Sequence, residues 1–385
     1  MPDYTIIALG SNSWHGPWMN RQHIMSRFGK SFDIIYSTPL WTNWSLSSEE
    51  WKNSSWSGSF KRVDNVWVDE TPKWLIRIPR LPLLSRFIEY LGAKRLRRFI
   101  DQNRGKKLIV YLFRPEFFNY IKPLAADLII YHIYDVYDKE ASWSIEKDKW
   151  QKLILNQADL VIASSQEMAN HLIKKTNYTG SIKILKNGAD YQAFRNGIDE
   201  KVPSDLATIP HPRISYVGRL NIKVDLSLII ELATRRPEWH FILVGPEVFF
   251  DSKTKELLEI CKKIHNIHFL GEKSHKELPS YTAQMDVNTM IYVLNKDNWS
   301  YYGYPLKLHE YLATGKPVIS SNLSSVREYD QVVAIAHNPD EWEQLIEDAI
   351  NGNGRGCPKL RQEVAYQNSW DVRVKQLNDW INHLN

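Results

Sequence analysis

Cysteine is all but missing. Among 385 residues only Cys261 and Cys357 occur, and they form no Cys-x-x-Cys pair. That excludes a disulfide scaffold and a cysteine-rich zinc module, and it suits a reducing compartment. No stretch approaches the ~18–20 apolar residues needed to span a bilayer. The opening MPDYTIIALGSNSWHGP has neither the basic start nor the apolar core of a secretory signal. GxGxxG, GxxxxGK(S/T), HExxH and GxSxG are absent too, which argues against a standard dinucleotide oxidoreductase, a P-loop ATPase, a zincin and an α/β-hydrolase. What is present is a chain 43% hydrophobic and 24% charged, able to bury sizeable cores and neither disordered nor fibrous. At roughly 150 residues per domain, its length allows two or three domains. The expectation is a cytoplasmic globular protein.

Charge is unevenly spread. The formal net charge is +5, yet residues 73–107 hold eleven basic residues against Glu89 and Asp101. That segment carries +9 and leaves −4 to the rest. Within it Leu84, Phe87, Ile88 and Leu91, then Leu96, Phe99 and Ile100, recur at nearly helical spacing. Such a basic amphipathic element reads as a face for an anionic membrane surface, or equally as a solvated helix packed on its own domain. Trp74, Arg95, Arg97 and Arg98 are its candidate outward residues. The aromatics follow a core-like face rather than a stacking platform, so no nucleic-acid partner is expected.

Short apolar runs alternate with helical patterns along the whole chain. Strands are expected at 4–9, 32–36, 108–113, 128–134, 160–164 and 182–185, with helices at 20–28, 145–156 and 166–175. Residues 41–60 show no period and read as an irregular insertion. Residues 203–212, PSDLATIPHP, hold three prolines and read as a linker. Beyond it strands are expected at 214–217, 239–244, 268–270, 287–291, 317–320 and 332–335. Helices are expected between them at 226–234, 255–264, 275–284, 306–313 and 340–350, and one or two close the chain over 366–384. This alternation predicts an α/β protein built from βαβ units in two Rossmann-like, doubly wound domains, 1–202 and 203–365, followed by a closing helical segment at 366–385. Ligands of such sheets sit at the carboxyl ends of the strands.

Three segments fit a phosphate ligand there. ISYVGRL (214–220) is a strand ending in Gly218-Arg219, where glycine admits a close backbone approach and arginine offers a planar fork; an ordinary turn is the alternative. FILVGP (241–246) ends in Gly245 at the same edge. The third, YPLKLHEYLATGKPVI (304–319), carries Pro305 where a helix begins and Gly315 where it ends. Lys307 then falls in the first turn beside free backbone N–H groups, a diphosphate site. Glu310 follows three residues on, on the same side, where a carboxylate can accept hydrogen bonds from vicinal hydroxyls. The alternative is an amphipathic helix with a lysine and a glutamate on its wet face.

On these pieces the second half resembles the nucleotide-sugar domain of GT-B glycosyltransferases similar to family 4, of the bacterial exopolysaccharide and capsule type. The matching segments are YVGRL (216–220), WHFILVGP (239–246), NIHFLGEKSHKELPSY (266–281) and PLKLHEYLATGKPVIS (305–320). The first half resembles the acceptor domain of such enzymes through Trp18, Arg21 and Gln22, LIIYHIYDVYD (128–138), ADLVIASSQEMANHL (158–172) and LKNGAD (185–190). NSWDVR (368–373) matches the closing helix that crosses back to the first domain in this fold. The resemblance implies two domains facing across a cleft that closes over the donor, with 203–212 as one hinge. It implies that Glu310 binds the donor ribose, and that Lys307, the amides near Tyr304, Pro305 and Leu306, and Arg219 hold the diphosphate. Leu270 and Gly271 would border the base, while Asp135 would face the acceptor. Asp135 and His132 are the candidate general bases, His132 being equally a buried structural histidine, with Asp138 in reserve.

Two positions depart from the family pattern. In the usual Glu-x7-Glu arrangement Tyr302 occupies the first position, so a carboxylate touching the donor sugar is missing. The lysine after GRL, Lys223, lies one residue nearer the glycine than usual, and Val224 replaces the glycine that follows it. The implied activity is metal-independent, retaining transfer of a sugar from a nucleotide-sugar, UDP-linked, to a lipid-linked or oligosaccharide acceptor at the inner face of the membrane, with no cofactor. Two other readings stay open: a nucleotide-sugar 2-epimerase or glycogen-phosphorylase-like enzyme of the same fold, and a membrane-associated sugar-binding subunit with weakened catalysis, which the Tyr302 departure favours.

Overall fold

The computed structural model describes residues 4–16, 18–38, 40–103, 107–140, 142–248, 251–295 and 299–384. Two compact units divide the chain, one of residues 1–186 with 374–385 and one of 187–373. Residues 203–212 lie inside the second unit, where Ser204–Ala207 form a helical turn and Leu206 is buried in the core. Arg104 and Lys106 of the basic segment fall outside the described residues.

The first unit is built on an eight-stranded sheet. Its order is Lys183–Ile184, Leu160–Ala163, Leu128–Ile133, Lys107–Leu112, Tyr4–Leu9, Asp33–Ser37, Val66–Glu70 and Ser59–Val63. All neighbours are parallel except the last pair, a hairpin turning at Asp64 with φ 51°. Helices cover both faces of a parallel sheet, so its strands read as unbroken apolar runs. YTIIAL is buried at all six positions. The hairpin shows no such run because its outer strand SFKRV is partly exposed at a sheet edge. Residues 41–60, expected to be irregular, in fact hold two short helical segments, Asn43–Ser47 and Glu49–Asn53, and the start of that edge strand.

Most of the basic segment folds into a 22-residue helix, Pro82–Asn103. Pro82 does not break it; proline at the first helical position costs nothing, because that N–H has no intrahelical partner. Polarity is inverted over the first turns of this helix. Ser85 and Glu89 face inward, Ser85 donating to the Ile78 carbonyl at 2.6 Å and Glu89 pairing with Arg77 at 2.9 Å. Leu83, Leu84, Phe87 and Tyr90 face outward. Farther on Ala93, Leu96 and Ile100 point to the core as periodicity requires. Arg95 turns inward as well, pairing with the buried Asp69 at 2.5 Å and lying over Phe60. Arg97 binds Asp101 and the Leu124 and Ala125 carbonyls.

The second unit carries six parallel strands in the order Ile267–Gly271, His240–Val244, Arg213–Val217, Val287–Met290, Val318–Ser321, Val333–Ala336. Its order reverses between Arg213–Val217 and Val287–Met290, and the crevice at such a reversal is where open α/β sheets bind ligands. The chain closes with two helices, Pro358–Gln367 and Trp370–Asn382. One test follows from the Asp69–Arg95 pair. Arg95→Ala strands a buried carboxylate and should lower stability by about 3 kcal/mol, whereas Arg98→Ala, on an exposed side chain, should change it by less than ~0.5 kcal/mol in the same urea titration.

Candidate functional site

Three glycines step along the carboxyl edge of the second sheet. The Gly218 N–H donates to the Val244 carbonyl and the Gly245 N–H to the Gly271 carbonyl, both at 2.8 Å. Gly218 and Gly245 hold φ of +143° and +140°, a region that side chains disfavour. A Cβ on Gly245 would strike the Gly218 carbonyl, and one on Gly218 would sit 2.9 Å from Lys307 Nζ. Glycine at 218 therefore makes the space that the lysine fills.

Lys307 opens the helix Lys307–Ala313. The helix is fixed from below, since the Tyr311 hydroxyl accepts from the Val217 N–H at 2.9 Å and Leu308 and Leu312 are fully buried. The approach is fixed too: Asn187 Nδ2 donates to the Tyr304 carbonyl at 2.7 Å, and the Tyr304 hydroxyl bridges His309 and Tyr329. Held in this way, the Lys307 amine lies 3.5 Å from the centroid of the Tyr216 ring and 5.5 Å from that of Tyr292. The residue is 9% exposed, and Nζ has no hydrogen-bond partner.

The electrostatics follow from that placement. Burial holds the Lys307 amine well below the usual lysine range, and the Lys223 charge pushes the same way. Lys223, whose spacing departs from the family pattern, nevertheless reaches the site, its Nζ 5.8 Å from the Tyr292 ring centroid. Burial pushes the Glu310 carboxyl up to about 8; Lys307 opposes the rise and Asp190 adds to it. Arg219 is exposed at the rim, its carbonyl accepting from the Tyr216 hydroxyl at 3.3 Å. Two amines thus converge on one aromatic-floored spot beside a protonatable carboxyl, an arrangement that favours an anion with a hydroxyl-bearing group next to it.

Gly218, Arg219, Lys223, Gly245, Tyr304, Pro305, Leu306, Lys307 and Glu310 belong to this strand edge and the helix behind it, and Leu270 and Gly271 end the adjacent strand. Sequence reading missed Tyr216, Tyr292, Asn187 and Asp190. Tyr216 precedes Gly218 by two and so shares its side of the strand, a signal that was available; Tyr292, two residues past the strand Val287–Met290, gave none.

In the first unit Asp135 follows the strand Leu128–Ile133 by two residues and accepts from the Val136 N–H at 2.9 Å. His132 is 1% exposed and bonded to the Tyr111 hydroxyl at 2.8 Å, and burial drives its pKa down to about 3. A neutral, enclosed imidazole inside the sheet is packing, not a base for a substrate. Burial works to raise the Asp138 carboxyl, but Lys175 and His171 outweigh it and hold it below its ordinary value. Trp18 packs on Trp14 and His23, and Arg21 is buried. Trp74 stays 45% exposed and Arg98 is exposed, whereas Arg95 and Arg97 are engaged within the fold. Among the described residues no group of three or more His, Cys, Asp or Glu side chains is placed to hold a metal ion, and no helix is long and apolar enough to cross a membrane.

Residues 206–369 match the family model described as Glycosyl transferases group 1. TuaH of Bacillus subtilis strain 168, whose assignment as a teichuronic acid biosynthesis glycosyltransferase is itself an inference, is 27% identical over 231 residues, or 58% of this chain. The match spans 57% of that relative's length, little more than half. Anabaena HepE in complex with UDP and glucose superposes with a TM-score of 0.68 at 15% identity, covering 98% of this chain and 99% of that one. Sucrose-phosphate synthase from Thermosynechococcus elongatus gives 0.73 at 14% identity, covering 99% and 98%. The fold is GT-B.

The raised Glu310 carboxyl sets a pH signature. Its folded pKa of about 8 exceeds the usual 4.5, so between those values the folded protein binds more protons than the unfolded chain and stability falls as pH rises. Glu310→Gln should flatten that decline in thermal melts between pH 5 and 8; an unchanged slope would place the titrating group elsewhere.

Proposed function

On the premise that residues 206–369 are a group 1 glycosyl transferase domain, we propose that the chain moves a sugar from a UDP-linked donor to a lipid-linked or saccharide acceptor during bacterial surface polysaccharide synthesis. One observation carries the reading: the buried, unpartnered Lys307 amine beside Gly218 at the strand-order reversal of the second sheet. The assignment of TuaH to teichuronic acid supports a surface-polymer acceptor, and the UDP and glucose in HepE support a UDP-linked donor.

In the proposed reaction an acceptor hydroxyl oxygen bonds to the anomeric carbon while the bond from that carbon to the diphosphate breaks. The electron pair leaves with the nucleoside diphosphate, and the hydroxyl proton passes to a carboxylate, for which Asp135 is the proposed group. Lys307, Lys223, Arg219 and the amides around Leu306 meet the charge that develops on the leaving diphosphate. Glu310 takes the ribose hydroxyls. Charge neutralisation is assigned to side chains rather than to a metal ion, and retention of configuration rests on the family resemblance. A second reading, a sugar-binding subunit with weakened catalysis, is favoured only by Tyr302 standing where a carboxylate is usual.

The Lys307→Ala variant should bind UDP at least ~100-fold more weakly by titration calorimetry, on the scale of one lost charge-stabilising donor. Asp135→Asn should keep that affinity and lose ~10²-fold or more of UDP release in the presence of membrane extract. Full UDP affinity in Lys307→Ala overturns the pocket, and undiminished release in Asp135→Asn overturns the base. Binding without any release by the unmodified protein supports the sugar-binding alternative.

Membrane attachment is proposed for the helix Pro82–Asn103. The inverted polarity of its first turns supports this, with Leu83 80% and Phe87 55% exposed among Arg80, Arg86 and Lys94. Apolar side chains can enter the headgroup boundary while each nearby basic residue adds ~1 kcal/mol on an anionic leaflet. The protein should cosediment with phosphatidylglycerol vesicles and not with phosphatidylcholine vesicles. Phe87→Asp with Leu83→Asp should abolish the sedimentation; retention by that double variant would sink the attachment site.

A further inference from the structure

The first unit contains a cation that the fold leaves uncompensated. Arg21 lies in the first turn of the helix Asn20–Phe28, the next element in the chain after the strand Tyr4–Leu9. It is only 5% exposed. Its Nε donates to Asn12 Oδ1, its guanidinium lies 4.7 Å from the Tyr134 ring centroid, and its Nη1 has no hydrogen-bond partner. No carboxylate pairs with it among the described residues. Its neighbours are neutral: the Tyr36 hydroxyl donates to the Asn12 carbonyl at 3.1 Å, and the Tyr134 and Ser11 hydroxyls bond at 3.0 Å.

Three other shielded arginines of this unit are treated differently. Arg77 is paired with Glu89, Arg95 with Asp69, and Arg114 with Glu116 and Glu140. A guanidinium left buried without such a partner is costly unless something supplies the missing charge. Its place is the carboxyl edge of the first sheet. There the order reverses at Tyr4–Leu9, flanked by Lys107–Leu112 and Asp33–Ser37. Ser11, in the loop that follows the strand Tyr4–Leu9, is bonded to the tyrosine on which Arg21 lies. A planar fork with a free nitrogen matches phosphate oxygens better than a single carboxylate oxygen.

We infer that Arg21 anchors a second anion site, in the first unit, that takes a phosphate or diphosphate group. The site itself is independent of any transfer chemistry. That its ligand is the acceptor, bearing phosphate near its reacting end, rests on the glycosyltransferase reading, because the donor's cations lie in the second unit. The phosphate could belong to a lipid diphosphate or to a soluble phosphorylated saccharide.

The test uses the full chain carrying Lys307→Ala, which silences the other anion site, labelled with ¹⁵N-arginine. Inorganic pyrophosphate and farnesyl diphosphate in detergent micelles are titrated separately, and the Arg21 Nε–H resonance is assigned by its loss in Arg21→Gln. A saturable shift of that resonance is expected, with binding at least tenfold weaker in Arg21→Gln. Tenfold tighter binding of farnesyl diphosphate identifies a lipid-borne ligand, and equal affinities identify a soluble one. An unmoved Arg21 resonance with both probes overturns the proposal; if Arg21→Gln does not fold, Arg21→Lys, which keeps the charge, assigns the resonance instead. A failed donor reading would show instead as undiminished UDP binding in Lys307→Ala.

Discussion

A single buried amine organises the second unit. Lys307 stands over the Tyr216 ring without a hydrogen-bond partner, a placement that costs several kcal/mol on desolvation grounds alone. The Tyr216 and Tyr292 rings and the Glu310 carboxyl offset part of that cost. The helix that carries it has Leu308, Tyr311 and Leu312 packed in the core and Tyr311 bonded to the strand end, so sheet packing supplies the energy that holds the amine in place. Gly218 is tied to the same need, because any side chain there would take the space beside Nζ.

The proton balance of the pocket follows from the same burial. Near pH 7 Glu310 is largely protonated, and the Lys307 amine is held below its ordinary range. Each depends on the other: a charged amine favours an ionised carboxylate, and an ionised carboxylate favours the charged amine. An anion arriving beside Lys307 favours the ammonium form, and that in turn favours the Glu310 carboxylate that accepts hydrogen bonds from a diol. Phosphate and hydroxyl recognition are therefore coupled through one turn of helix.

Much of this was legible in the residues. Parallel strands buried on both faces leave unbroken apolar runs, so YTIIAL and FILV announced their strands, and glycine after such runs marked the ligand edge. The Lys307–Glu310 spacing likewise fixed two groups on one side of a helix. Legibility failed where local pattern and burial part company. The edge strand SFKRV alternates too weakly to stand out beside a Trp- and Ser-rich stretch. The helix Pro82–Asn103 was harder still. Leu84 and Phe87 read as a core stripe, yet they face outward because Ser85 and Glu89 have partners inside, in the Ile78 carbonyl and in Arg77 with Asn119. No period in the sequence reports which polar residues will find partners.

The same reasoning separates Arg21 from the basic residues around it in the tally of charge. Arg95 and Arg97 belong to the strongly basic stretch, but their charges are spent inside the fold, on Asp69 and on Asp101 with the Leu124 and Ala125 carbonyls. Arg21 lies outside that stretch, where composition gives no hint, and it alone of these three has no carboxylate. Net charge along a segment therefore measures how many cations a chain owns, not how many remain for a ligand. What remains is decided one side chain at a time, by whether burial has already supplied a counter-charge. Each unit thus holds a buried basic side chain with a nitrogen that no hydrogen bond engages, Lys307 in one and Arg21 in the other, and each lies at the sheet edge where the strand order reverses.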